Sequence, residues 1–165
     1  MAETGSNIYL GKRWFAGQVA RAGESGIVAA SFINNDAQSI PAGIFVAHGD
    51  KAGTCRRITA DSDNVLGVVI ALGVTHEFKP GKNLSAMALP HGSEVVVKVA
   101  EGAVVALGDT VKIIATGNDA GAIGDKGTIE THYFVVDVNA SLAKIKRREV
   151  VAPTAAPAQK TANKG

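Results

Sequence analysis

The stretch Ser93 to Ile114, SEVVVKVAEGAVVALGDTVKII, repeats one unit: a short β-branched run, then Gly-x-x-Val, then another β-branched run. An earlier piece, IPAGIFV over Ile40 to Val46, has the same texture. Val and Ile are stiff at χ1 and suit a pleated surface. Glycine between such runs permits tight reversals. Text of this kind specifies short strands and tight turns, and it disfavours long helices. Apolar residues make up 46% of the chain but aromatics only 5%, so the core must be built from Val, Ile, Leu and Ala. A chain of 165 residues is one domain with a core of its own.

Strand and turn signals alternate along the chain. Gly5, Gly11, Gly17 and Gly23 interrupt any helix in residues 1–25 and enclose Lys12-Arg13-Trp14-Phe15; this reads as an extended N-terminal arm. Strands are expected over 27–33, from Ile40 to Val46, over 55–59, 65–72, 84–89, 94–99, 103–105 and 111–114, and from His132 to Val138. Between them stand turn signals such as Asn34-Asn35-Asp36, Asp61-Ser62-Asp63-Asn64 and Lys79-Pro80-Gly81. Val65 to Leu72 (VLGVVIAL) is an unbroken apolar run of strand length, expected to be buried on both sides. Strands recurring every ~8–12 residues point to an all-β fold, a small antiparallel β-barrel or a jelly-roll-like sandwich, over residues 26–140. Residues 141–165 are expected to be a basic, flexible tail, with the one plausible helix a short one near Ser141 to Arg148.

The formal charge of +2 hides an asymmetry. Residues 1–143 hold 11 basic and 14 acidic groups, whereas the remainder holds six basic groups and the single acid Glu149. The first residues do not follow the pattern of a signal peptide, and no stretch nears the ~18 unbroken apolar residues of a membrane span, so no membrane partner is expected. Cys55 is the only cysteine, which leaves no partner for a disulfide within the chain and no cysteine metal cluster.

Chemistry-bearing residues are scarce. His48, His76, His91 and His132 are scattered, with no His or Cys at metal-ligand spacing, so no metal is expected. There is no Gly-x-Ser-x-Gly elbow, and the glycines from Gly102 to Gly108 lack the Lys-Ser/Thr ending of a phosphate loop. Cys55 beside Arg56 and Arg57 could be activated, but a lone Cys in a strand is more often a small core residue. Asp50-Lys51-Ala52 equals the modified-lysine triplet of lipoyl domains, yet Cys55-Arg56-Arg57 follows where that family has a hydrophobic Gly-x-Val strand. The expectation is no catalytic residue, no enzyme and no cofactor.

The order of elements resembles the capsid cement, or decoration, proteins of tailed bacteriophages. The resemblance rests on Gly17-Gln18-Val19-Ala20-Arg21-Ala22, Asn34-Asn35, Ile40-Pro41-Ala42-Gly43-Ile44-Phe45-Val46 and Val65-Leu66-Gly67-Val68-Val69. It continues with Pro90-His91-Gly92-Ser93-Glu94-Val95-Val96-Val97 and Gly102 to Val111, and so covers roughly residues 17–138. It implies a non-enzymatic β-fold made in the host cytoplasm and bound to the outside of an icosahedral shell. There it would brace junctions between major capsid protein subunits, working as a dimer or trimer. The basic tail from Lys144 onward is not part of the shared pattern. Candidate contact residues are Trp14 and Phe15, because aromatic anchors dominate interfaces, and the cations Lys146, Arg147 and Arg148.

Two other classes compete. One is a carrier of the biotinyl or lipoyl type modified at Lys51. The other is a nucleic-acid-binding β-barrel acting through the basic tail; with no interleaved aromatics and no recognition motif, nucleic acid is not the expected partner.

Overall fold

The computed structural model describes residues 14–22 and 29–149. Twelve strands make up the regular structure of these residues: β1 (Val19–Arg21), β2 (Ala30–Asn34), β3 (Ile40–Pro41), β4 (Phe45–His48), β5 (Thr54–Arg57) and β6 (Val65–Ile70), then β7 (Glu77–Phe78), β8 (Asn83–Met87), β9 (Glu94–Lys98), β10 (Thr110–Ile113), β11 (Ile129–Asn139) and β12 (Leu142–Arg147). The all-β expectation holds, and the barrel alternative is realised. Strands β2, β5, β4, β6 and β8 close into a five-stranded barrel in that order, antiparallel except for the β2–β5 pair. Closure leaves the barrel no open edge. A second sheet, antiparallel throughout, runs β1-β9-β12-β11-β10, and β3 pairs with β7 beside the barrel.

Strand alternation explains how two cores arise from one set of strands. Along β4, Val46 points into the barrel with Cys55, Val69, Leu84 and Ala86, while Phe45 and Ala47 point the other way. There they meet Val95, Val97, Val111, Ile113, Val135 and Ile145 of the second sheet. The β4–β6 wall therefore lies between a packed barrel interior and a larger core shared with the sheet. This is why β6 reads as unbroken apolar text: Val68 and Ile70 serve one core and Val69 the other.

The N-terminal arm, where described, is sewn into this junction. The Gly17 N–H donates to Val96 O of β9 at 2.8 Å, and the Ala71 N–H donates to Gly17 O at 3.0 Å. One residue thus ties the sheet to the end of β6. Its φ of +78° is left-handed, and a Cβ there would lie 2.7 Å from Ala71 N and 2.8 Å from Ala42 Cβ. Only glycine fits both constraints.

Two expectations need correction. Residues 142–147 are neither helix nor tail but strand β12, hydrogen-bonded between β9 and β11 in the middle of the second sheet. Ala143 and Ile145 supply its core face, which tertiary burial favours over the helix preference of the lysines and arginines. Residues 103–105 form a loop; Ala103 N–H closes a turn onto Ala100 O, Val104 N–H donates to Asp125, and the Val104 side chain is exposed. Within the stretch expected as the arm, β1 pairs with β9. Residues 1–13, 23–28 and 150–165, including most of the expected arm and tail, lie outside the described residues.

Candidate interaction surface

The sites that could have carried chemistry are closed off or dispersed. Cys55 is fully buried inside the barrel, and burial, with nearby Asp36 adding to it, pushes its thiol up to about 11. At neutral pH it is an inert core residue. All four histidines are exposed, and among the described residues no three His, Cys, Asp or Glu side chains converge as a metal site would require. Lys51 lies at the exposed tip of the β4–β5 hairpin, where the Thr54 hydroxyl donates to Lys51 O at 2.7 Å. Among the described residues, the barrel interior is packed with Val46, Cys55, Val69, Leu84 and Ala86.

The five candidate contact residues are split by the fold. Trp14 and Phe15 are neighbours in sequence that face different surroundings. Trp14 is half-buried with the Lys144 ammonium 4.9 Å from its ring centroid, a cation–π contact. Phe15 is 43% exposed and meets His76 edge-on at 5.3 Å. Close by, the Gly17 O–Ala71 N bond brings the arm to the turn Leu72–Thr75, whose Leu72 is 45% and Val74 95% exposed. Phe15, Leu72 and Val74 thus give one corner of the molecule an apolar character. The sequence reading missed Leu72 and Val74; the signal was available, since the apolar text from Val65 outlasts the strand it needs.

The cations of β12 are held in the sheet. Ala143 and Ile145 face the shared core, so Lys144 and Lys146 share the opposite face. Across the strands Lys144 stands opposite Asp137, and Lys146 opposite Glu94. This face is a mixed-charge surface rather than a basic patch. Arg148 is occupied by its own fold: its guanidinium stacks 5.3 Å over Phe134 and donates to Gly108 O at 3.3 Å. Arg147 is exposed and stands opposite Tyr133.

One further polar cluster is structural. The Asp63 carboxylate accepts two bonds from Arg56, at 2.7 and 2.9 Å, and backbone N–H groups of Thr59 and Ala60. The Arg56 guanidinium first, and the backbone donors with it, hold this carboxyl well below the usual carboxylate range. It pins the loop between β5 and β6 and points at no ligand.

A closed barrel with a packed interior, a second sheet against its wall and an exposed apolar corner make up the described part of the chain. The model of the XM1 gp53 minor capsid protein family matches residues 3–146, and the chain belongs to that family. It is, in that class, a capsid structural protein of the virion. The fold is similar to that of a chain in the solved structure "The capsid of Myoviridae Phage XM1", with a TM-score of 0.58 at 17% identity, covering 82% of this chain and 91% of that one. Comparison with curated proteins gives no match. The family match runs through Lys146, so β12 belongs to the shared pattern almost to its end, further than the sequence resemblance alone reached.

Proposed function

We propose that this protein is a cement, or decoration, protein that binds the outer surface of an icosahedral phage capsid and braces contacts between major capsid protein subunits. The observation that carries the reading is the exposed apolar corner of Phe15, Leu72 and Val74 on a chain of a minor capsid protein family. Exposed apolar side chains grouped at one place on a surface suit a contact site. Burying one fully yields ~1.5–3 kcal/mol. Copies repeated over a shell need only modest affinity each, because binding together multiplies it. Association of the protein with itself, as a dimer or trimer, belongs to the same proposal.

The test compares wild type with a Phe15→Ser/Val74→Ser variant for thermal unfolding and for occupancy on capsids assembled without it. Both side chains are exposed, so the melting temperature should stay close to wild type. Occupancy should fall about tenfold or more, the equivalent of ~1.4 kcal/mol per decade. A folded variant that decorates capsids as fully as wild type would remove this corner from the interface. Lys146→Ala/Arg147→Ala tests the cationic contribution separately; it should weaken occupancy more at low salt than at high salt, because exposed charges are screened.

A further inference from the structure

A small pocket of about 120 Å³ lies where the barrel, the second sheet and the turn after β10 meet. Pro41 and Ile44 line its barrel side, together with Arg57, the last residue of β5. Lys98, the last residue of β9, enters from the sheet. Asn118 and Asp119 complete it from the turn that the Ala120 N–H closes onto Gly117 O at 3.2 Å.

Two cations thus reach one pocket, and neither is neutralised by the fold. Arg57 and Lys98 make no ion pair among the described residues. Asp119, the one carboxylate among the lining residues, accepts the Glu101 N–H at 3.3 Å and leaves the pocket net positive. The Arg57 guanidinium is also only partly satisfied. Its Nη2 donates to Ser39 O at 2.9 Å, but its Nε is buried and no protein group accepts from it. A buried charged donor without an acceptor is costly, and a bound ion or water is the usual remedy.

We propose that this pocket binds a small oxyanion, of the carboxylate or phosphate kind. The anion accepts from Arg57 Nε and pairs with the Lys98 ammonium, and the Asn118 amide adds a neutral donor. Guanidinium geometry suits such oxygens, and hydrogen bonds between ionised groups are the strong ones. Arg57 belongs to the barrel and Lys98 to the second sheet, so the bound anion ties the two cores together. The proposal is independent of what the protein docks on.

The experiment is NMR on the isolated full chain. The Arg57 Nε–H resonance is followed while inorganic phosphate, and separately acetate, replaces chloride at constant ionic strength. A saturable shift with phosphate or acetate is expected, and the tighter of the two identifies the class. Lys98→Met keeps the aliphatic stem and removes the charge; it should weaken binding about tenfold. Asp119→Asn keeps an oxygen for the Glu101 N–H and removes the repelling charge; it should tighten binding about threefold. Residues with a purely structural role would not give this opposed pair of effects. Thermal unfolding without added oxyanion reports whether each variant is folded. If neither phosphate nor acetate shifts the resonance more than chloride does, water satisfies Nε and the proposal fails. It also fails if the affinity of a folded Lys98→Met or Asp119→Asn variant equals that of wild type.

Discussion

Gly17 is a single residue through which barrel, sheet and arm are joined, and replacing it with alanine isolates what that junction is worth. The left-handed φ of +78° is the first term. An L-residue in this region costs ~1–2 kcal/mol, offset by ~0.4–1 kcal/mol because alanine also restricts the unfolded chain, a net of ~1 kcal/mol. The second term is space. The new methyl would lie 2.7 Å from Ala71 N, 2.8 Å from Ala42 Cβ and 2.8 Å from Val69 O, two of them backbone atoms that cannot rotate aside. Overpacking of this kind costs ~1–3 kcal/mol. Relief requires the arm to move outward, stretching the bonds to Val96 O and from Ala71 N, at ~0.5–1.5 kcal/mol each. The sum is about 3–7 kcal/mol, a large part of the ~5–15 kcal/mol that holds a domain together.

Gly53 supplies the control. Its φ is +74°, nearly the same, but nothing lies within 4 Å of where its Cβ would be. Gly53→Ala therefore carries the conformational term alone. At ~2–4 °C per kcal/mol for a domain of this size, Gly53→Ala should lower the melting temperature by ~2–4 °C and Gly17→Ala by ~6–28 °C. Calorimetry of the two variants beside wild type decides the matter. Equal shifts, within about 3 °C, would show that the arm yields freely at residue 17, and the reading of this junction as a close-packed tie would be wrong.

Asp63→Asn should destabilise the protein by about 2 kcal/mol at pH 7, since the Arg56 guanidinium and two backbone donors lose their charged acceptor. Because the folded pKa of Asp63 lies below its unfolded value, its contribution is complete above the ordinary carboxylate range near ~4 and is lost as pH falls below it. The variant's stability should accordingly converge on that of wild type in acid, as denaturant melts between neutral pH and pH ~3 would register. The Cys55 thiol should resist a disulfide reagent at pH 8 in the folded protein and react on unfolding; rapid native labelling would contradict its place inside the barrel. Arg148→Ala should lower thermal stability more than Lys146→Ala, because only Arg148 both stacks on an aromatic ring and bonds a backbone carbonyl.

The sequence by itself determined the class of fold. Unbroken or alternating β-branched text marked β4, β6, β9 and β10, since the two-residue period of a strand is a local property that needs no partner to be read. That the text carries no metal-ligand spacing and no Gly-x-Ser-x-Gly elbow is equally local. Tertiary structure decided the rest. β3 and β7 are two residues each, too short for any periodicity, and exist only because they meet each other. Leu142-Ala143-Lys144-Ile145-Lys146-Arg147 is made largely of good helix formers. It became a strand because β9 and β11 flank it on both sides and the shared core accepts Ala143 and Ile145. The separation of Trp14 from Phe15, and the meeting of Phe15 with His76, follow from the arm's two hydrogen bonds at Gly17, one to each half of the molecule. Neither is written in local text, because such contacts are set by which strands the closed barrel and the second sheet bring side by side.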